Sequence, residues 1–181
     1  KTRKIDLSTL YEIGIKLGSD VPACLESKDL RLEGYGHKIT KTKLLNNNNN
    51  YYFLLINPNI NLSTKDVFNN FDNSKFKENE IPITCFENIN THNSLLSSAI
   101  DLAPEIFNIL LDLQESKNII AYGMTGSGST CFGVFKNLSD ITIFLKSFSK
   151  DNNSNYFIWY GKKKNYNLNR IRTSKTLENI V

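Results

Sequence analysis

Two short stretches hold residues whose types and spacing are those of chemistry. In Gly-Met-Thr-Gly-Ser-Gly-Ser-Thr, residues 123–130, Gly126 and Gly128 flank Ser127, and hydroxyls stand at Thr125, Ser129 and Thr130. Glycine lets a backbone approach a ligand closely, and successive N–H groups turned the same way form a nest that binds anions. The same composition also suits a tight turn between two strands. It is not a Walker loop. That motif needs a lysine after its last glycine to reach the phosphates, and here Ser129 follows Gly128. The second stretch is Leu-Gly-Ser-Asp-Val-Pro, residues 17–22. Its Asp20 can take a proton from a hydroxyl within hydrogen-bond reach, or it can cap a helix that Pro22 opens.

The elements that must position these residues follow from periodicity and punctuation. Leu7 to Leu17 reads as a helix, with Ser8 or Thr9 as its cap and Thr9 with Glu12 as a capping box. Leu10, Ile13 and Leu17 form its apolar face, and Gly18 stops it. A short helix around Pro22 runs to Leu25, with Ser19 or Asp20 at its cap. Leu30 to Lys43 alternates around Gly34 and Gly36 as a bent hairpin. Tyr51 to Ile56 is a continuous apolar run, read as a buried strand that ends at Asn57-Pro58. Ser63-Thr64-Lys65-Asp66 then caps a helix whose Val67 and Phe68 turn towards something apolar. Helices are predicted over 93–102 and 104–113, the second opened by Pro104 and striped by Ile106, Ile109, Leu110 and Leu113. Strands over 119–124 and 130–135, joined by the Gly-Ser turn, are expected to be antiparallel neighbours. A helix from Ser139 through Phe148 and a strand from Tyr156 to Tyr160 complete the series. From Tyr51 onward this is the split βαβ, ferredoxin-like order of an α+β fold, with the helices on one face of the sheet. The first fifty or so residues lie outside that unit and lack a core of their own, so the expected domains are 1–45 and 51–181.

Composition narrows the function classes. Of the 181 residues 40% are hydrophobic, enough for a real core. The net charge of +4 is mild, and Lys162, Lys163, Lys164, Arg170, Arg172 and Lys175 read as a solvated basic tail. Cys24, Cys85 and Cys131 are odd in number and widely spaced, and His37 and His92 form no metal-ligand pattern with them. No metal-ligating residue is therefore assigned, and reduced thiols of a cytoplasmic protein are expected. No apolar run approaches the roughly 18 residues of a membrane span, so no membrane partner is expected. Asn46 to Asn50 reads as a polar loop.

Taken together, Leu-Gly-Ser-Asp-Val-Pro (17–22) and Met-Thr-Gly-Ser-Gly-Ser-Thr-Cys-Phe-Gly-Val-Phe (124–135) resemble the later motifs of the GHMP kinases. Three further stretches lie between them in the family's order. These are Leu-Glu-Gly-Tyr-Gly-His-Lys-Ile-Thr (32–40), Leu-Leu-Ile-Asn-Pro-Asn-Ile-Asn-Leu-Ser-Thr-Lys-Asp-Val-Phe (54–68) and Asn-Ser-Leu-Leu-Ser-Ser-Ala-Ile-Asp-Leu-Ala-Pro-Glu-Ile (93–106). Each motif alone is weak; their succession is specific, and it covers the chain to about residue 160. Ser94 departs from the family's Asn-Asp-Leu, and Ala23-Cys24 stands where aromatics are usual.

The resemblance implies a ferredoxin-like C-terminal GHMP kinase domain preceded by the tail of an N-terminal ATP-binding domain. It implies ATP-dependent phosphorylation, with Mg²⁺, of the 2-hydroxyl of a cytidine-diphosphate-linked methylerythritol in non-mevalonate isoprenoid biosynthesis. Asp20 would be the base for that hydroxyl. Gly126, Ser127 and Gly128 would line the site near the phosphates or the substrate. Thr64 and Phe68 would bind substrate, with the Phe68 ring stacked on cytosine; the alternative for Phe68 is a core anchor of its helix. The family's Gly-rich loop, Pro-x-x-x-Gly-Leu-Gly-Gly-Gly-Ser-Ser, and its early lysine do not occur in these residues. The chain is thus expected to be a C-terminal portion that works with an N-terminal half, as a monomer or weak dimer. Competing readings are a non-catalytic half of a split kinase and a GHMP kinase for homoserine or mevalonate. An RNA-binding sheet displaying Phe132 and Phe135 lacks the basic residue of that pattern, and nucleic acid is not expected as a partner.

Overall fold

The structure is a computed structural model, and it describes residues 6–18, 20–26, 30–33, 38–41, 50–71, 84–86, 89–91, 93–151 and 155–162. Ser19, Gly34, Gly36, His37, His92, Asn46 to Asn49 and the basic residues beyond Lys162 lie outside the described residues. Residues 6–41 belong to one compact unit and residues 50–162 to a second.

In the first unit, α1 (Leu7–Leu17) ends at Gly18, whose N–H returns to the carbonyl of Gly14. The expected capping box does not form. Asp6 occupies the N-cap position without a side-chain cap, and the Ser8 hydroxyl donates to the Asp6 carboxylate. Ser8 is thus already inside the helix, engaged by the acid before it. The expected apolar face is not buried either: Ile13 is 47% and Leu17 74% exposed. What α1 presents to α2 (Val21–Glu26) is Gly14, where an added Cβ would lie 3.2 Å from Val21 and 3.4 Å from Leu25. Tyr11 on α1 donates a hydrogen bond to the Glu26 carboxylate. Glu26 in turn lies 3.6 Å from the Lys41 ammonium. Lys41 ends the antiparallel pair β1 (Leu30–Glu33) and β2 (Lys38–Lys41), the hairpin expected here. The Glu26 carboxylate and burial hold the Tyr11 phenol protonated, raising its pKa to about 12.

The second unit is built on β3 (Tyr52–Asn57), which pairs antiparallel with both β7 (Cys131–Phe135) and β8 (Phe157–Lys162). With β6 (Ile119–Met124) the sheet order is β6-β7-β3-β8, the antiparallel ferredoxin-like arrangement. The apolar run of β3 is buried on alternate residues only. Leu54 and Ile56 are fully buried, and Phe53 and Leu55 are partly exposed. The reason is the one-sided layering: side chains alternate between faces, and the helical core lies on the face of Leu54, Ile56, Met124, Cys131 and Phe135. A further hairpin, β4 (Thr84–Phe86) and β5 (Ile89–Thr91), was not anticipated in the sequence, and β4 runs against β6.

The helices bring the other half of the core. α5 (Glu105–Glu115), with Pro104 at its N-cap, buries Ile106, Ile109, Leu110 and Leu113, the stripe read from its spacing. α4 (Leu96–Leu102) starts three residues later than expected, which leaves Asn93 ahead of the helix. α6 (Leu138–Asp151) contributes Ile141, Phe144 and Phe148, and an aromatic row runs from Phe135 through Phe144 and Phe148 to Tyr156 with centroids 5.1–6.4 Å apart. Asp140 in its first turn is 8% exposed and accepts from the side-chain amides of Asn118 and Asn137, each at 3.1 Å. α3 (Thr64–Asn69) buries Val67 and leaves Phe68 51% exposed. No helix among the described residues is long and apolar enough to cross a membrane.

Candidate active site

The Gly-Ser loop closes the hairpin of β6 and β7. Thr125 donates its N–H to the carbonyl of Thr130 at 2.9 Å, and Gly128 donates to the carbonyl of Thr125 at 2.9 Å. Gly126 and Gly128 take the left-handed conformation, with φ of +52° and +92°, where a side chain is strained. The Gly128 N–H is therefore consumed by the turn itself. The N–H groups of Gly126 and Ser127 make no hydrogen bond to a described residue.

Long-range bonds hold the loop against two other segments. On one side, the connection from β3 to α3 meets it three times. Asn57 donates to the Thr130 hydroxyl at 2.8 Å, the Ser129 hydroxyl donates to the carbonyl of Ile60 at 2.9 Å, and the hydroxyls of Thr64 and Ser127 are 2.9 Å apart. On the other side, the Asn93 amide donates to the carbonyls of Met124 at 3.1 Å and Gly126 at 2.8 Å. Ser63 caps α3 as its type predicted, accepting from the Asp66 N–H at 3.4 Å.

Of the residues singled out from sequence, Thr64, Gly126, Ser127 and Gly128 come together in this one cluster. Phe68 lies one turn along α3 from Thr64, and residues four apart share a helix face. Its exposure removes the reading of a core anchor. Asp20 belongs to the first unit, between α1 and α2, and is exposed. Its backbone carbonyl accepts from the Cys24 N–H at 3.1 Å, as a residue at a helix start does. The fixing residues Asn57 and Asn93 were not identified from sequence. The mark they carried was position: Asn57 is the residue where β3 stops, and Asn93 stands three residues ahead of α4. Cys131, beside the loop, is fully buried, and desolvation raises its pKa to about 12, which keeps its thiol protonated. Among the described residues no group of three or more His, Cys, Asp or Glu is placed to hold a metal.

Residues 83–153 match the family described as GHMP kinases C terminal. Over 143 residues the chain is 40% identical to a protein of Ehrlichia chaffeensis named 4-diphosphocytidyl-2-C-methyl-D-erythritol kinase, covering 75% of this chain and 50% of that one. The chain belongs to the GHMP kinase family. Proteins of the same name in Clostridioides difficile and in the Wolbachia of Brugia malayi are 32% and 33% identical, over 78% and 75% of this GHMP kinase chain. It spans about half the length of these curated relatives, 48–50%. Its fold is that of a crystal structure of 4-(cytidine 5'-diphospho)-2C-methyl-D-erythritol kinase, with a TM-score of 0.65 at 20% identity over 89% of this chain and 58% of that one. The family and the α+β fold expected from the motifs are thereby borne out.

Proposed function

We propose that this GHMP kinase chain serves the ATP-dependent phosphorylation of the 2-hydroxyl of 4-diphosphocytidyl-2-C-methyl-D-erythritol, in the cytoplasm. The geometry that supports the reading is the 2.9 Å contact of Thr64 with Ser127, because it sets the Gly-Ser loop one helical turn from an exposed aromatic ring. A nucleotide-linked substrate needs that combination: a ring face for the base and N–H donors for negative charge. In this reading Phe68 stacks on the cytosine and Thr64 orients the substrate. The Gly126 and Ser127 N–H groups, unclaimed by described residues, fit phosphate oxygens, while Gly128 serves the turn.

ATP would supply the transferred phosphoryl group, and Mg²⁺ would neutralise charge on its phosphates. Asp20 takes the proton of the 2-hydroxyl as the new oxygen–phosphorus bond forms and the bond to the ADP oxygen breaks. Phosphoryl transfer asks little else of a protein beyond alignment and charge neutralisation. No stretch of the 181 residues has the family's Gly-rich ATP-loop pattern, so the test uses the full-length gene product. Asp20→Asn is expected to lower kcat by about 10²- to 10⁴-fold, the usual range for a general base, with the KM for the cytidine-linked substrate little changed. A variant with kcat within threefold of wild type (about 0.7 kcal/mol) removes Asp20 from the mechanism.

A further inference from the structure

Asn93 has no assigned role, yet its side-chain amide is spent in full. Its two amide hydrogens go to the carbonyls of Met124 and Gly126, and its Oδ1 accepts the N–H of Leu95 at 3.0 Å. One residue thus ties the start of the α4 segment to the loop more than thirty residues later in the chain. The consequence for the loop follows from the planar peptide group, in which the C=O of one residue and the N–H of the next point in opposite directions. Holding the Met124 carbonyl towards Asn93 turns the Thr125 N–H the other way, where it meets the carbonyl of Thr130 at 2.9 Å. Holding the Gly126 carbonyl towards Asn93 turns the Ser127 N–H the other way as well, and that N–H has no partner among the described residues. Gly126 has no side chain to limit its peptide plane, and an added Cβ there would meet nothing within 4 Å. Without an external tether that plane is free to rotate.

We propose that Asn93 is a positioning residue that fixes the Ser127 N–H as a preoriented donor for the phosphate-bearing end of the substrates. It acts on the same site as the reading above and rests on it for the identity of the ligand. A donor aimed in advance costs no reorganisation when charge shifts during transfer. Asn93 achieves this from outside the loop, so the loop itself can stay small and close to the ligand. The Thr64–Ser127 and Ser129–Ile60 contacts hold the loop's opposite side, and the amide of Asn93 decides which way the Gly126–Ser127 peptide faces.

Two variants of the full-length gene product separate this role from helix capping. Asn93→Asp keeps an oxygen for the Leu95 N–H but replaces both donated bonds with a carboxylate facing two carbonyls. Asn93→Ala removes all three bonds. The proposal predicts that both lower kcat per folded molecule with the cytidine-linked substrate by about 10- to 100-fold, the scale of a misplaced catalytic group, with Asp giving no rescue over Ala. It also predicts that hydrogen exchange at the Thr125 and Gly128 amides speeds up roughly tenfold, while the amides of β3 and α5 keep their protection. Rescue by Asp to wild-type kcat, or unchanged exchange in the loop, overturns the proposal. A wild-type protein that fails to phosphorylate the substrate refutes the functional reading instead, and the exchange measurement then decides by itself whether Asn93 holds the loop.

Discussion

Replacing Gly128 by alanine tests how the loop is built, because two separate costs meet there. The first is conformational: at φ +92° a Cβ crowds the neighbouring carbonyl, which costs about 1–2 kcal/mol. The second is steric. The new methyl would lie 2.9 Å from the Met124 sulfur, 3.1 Å from Leu62 Cδ2 and 3.4 Å from Ile106 Cδ1. Ile106 is fully buried and Met124 nearly so, so the thioether has little room to retreat. Overpacking costs about 1–3 kcal/mol, and the adaptability of methionine puts this case at the lower end. The sum is about 2–4 kcal/mol. Gly126→Ala is the internal control: its φ of +52° carries the conformational cost, and its Cβ meets nothing within 4 Å. About 1 kcal/mol is expected there. Urea unfolding of both variants, read as midpoint shifts at unchanged slope, measures the difference. Gly128→Ala losing no more stability than Gly126→Ala would refute the packing of the loop on Met124, Leu62 and Ile106.

Three further outcomes follow from single side chains. Phe68→Ala removes an exposed ring, so stability should change by less than about 0.5 kcal/mol, while the KM for the cytidine-linked substrate rises about tenfold, as loss of one base stack implies; a large loss of stability would return Phe68 to the core. The Tyr11 phenol, held protonated chiefly by its bond to Glu26, should ionise near pH 12 in the folded chain. Because its folded pKa lies above the unfolded value of about 10, its contribution is complete below pH 10 and lost as pH rises through 12; an ultraviolet titration in which Tyr11→Phe leaves the late-titrating step intact would contradict this. Cys131, fully buried with its pKa raised to about 12, should resist maleimide in the folded protein and react only after denaturation, whereas the exposed Cys24 reacts at once.

What could be read from the sequence was local. The α5 stripe of Ile106, Ile109, Leu110 and Leu113 repeats at helical spacing, and its burial required nothing beyond an apolar sheet to face. The strands flanking the Gly-Ser turn were legible because the turn chemistry forces them to be neighbours. The hairpin of Thr84–Phe86 and Ile89–Thr91 was not, since three residues are too few to show alternation. The capping box of Thr9 and Glu12 failed for a related reason. Several polar residues near a helix start can cap it, and here the N-cap position falls on Asp6, with the Ser8 hydroxyl bonded back to it. In the site, the resemblance selected Thr64 and Ser127, but their meeting depends on the register of β3 with β7, which sets Ile56 opposite Cys131. Asn57 and Asn93 were invisible for the same reason: an asparagine at the edge of an element looks like ordinary punctuation until the partner carbonyls, a fold away in sequence, are in place.

Substrate identity is decided by turnover of the full-length gene product with ATP, Mg²⁺ and 4-diphosphocytidyl-2-C-methyl-D-erythritol, with the product followed by phosphorus NMR and homoserine and mevalonate run in parallel. A new phosphomonoester on the 2-oxygen of the methylerythritol is expected, formed with a kcat/KM at least about a thousandfold above that for either alternative, since a site that stacks and hydrogen-bonds a base rejects ligands that lack one. Comparable turnover of homoserine or mevalonate, or no phosphomonoester from the cytidine-linked substrate, would contradict it.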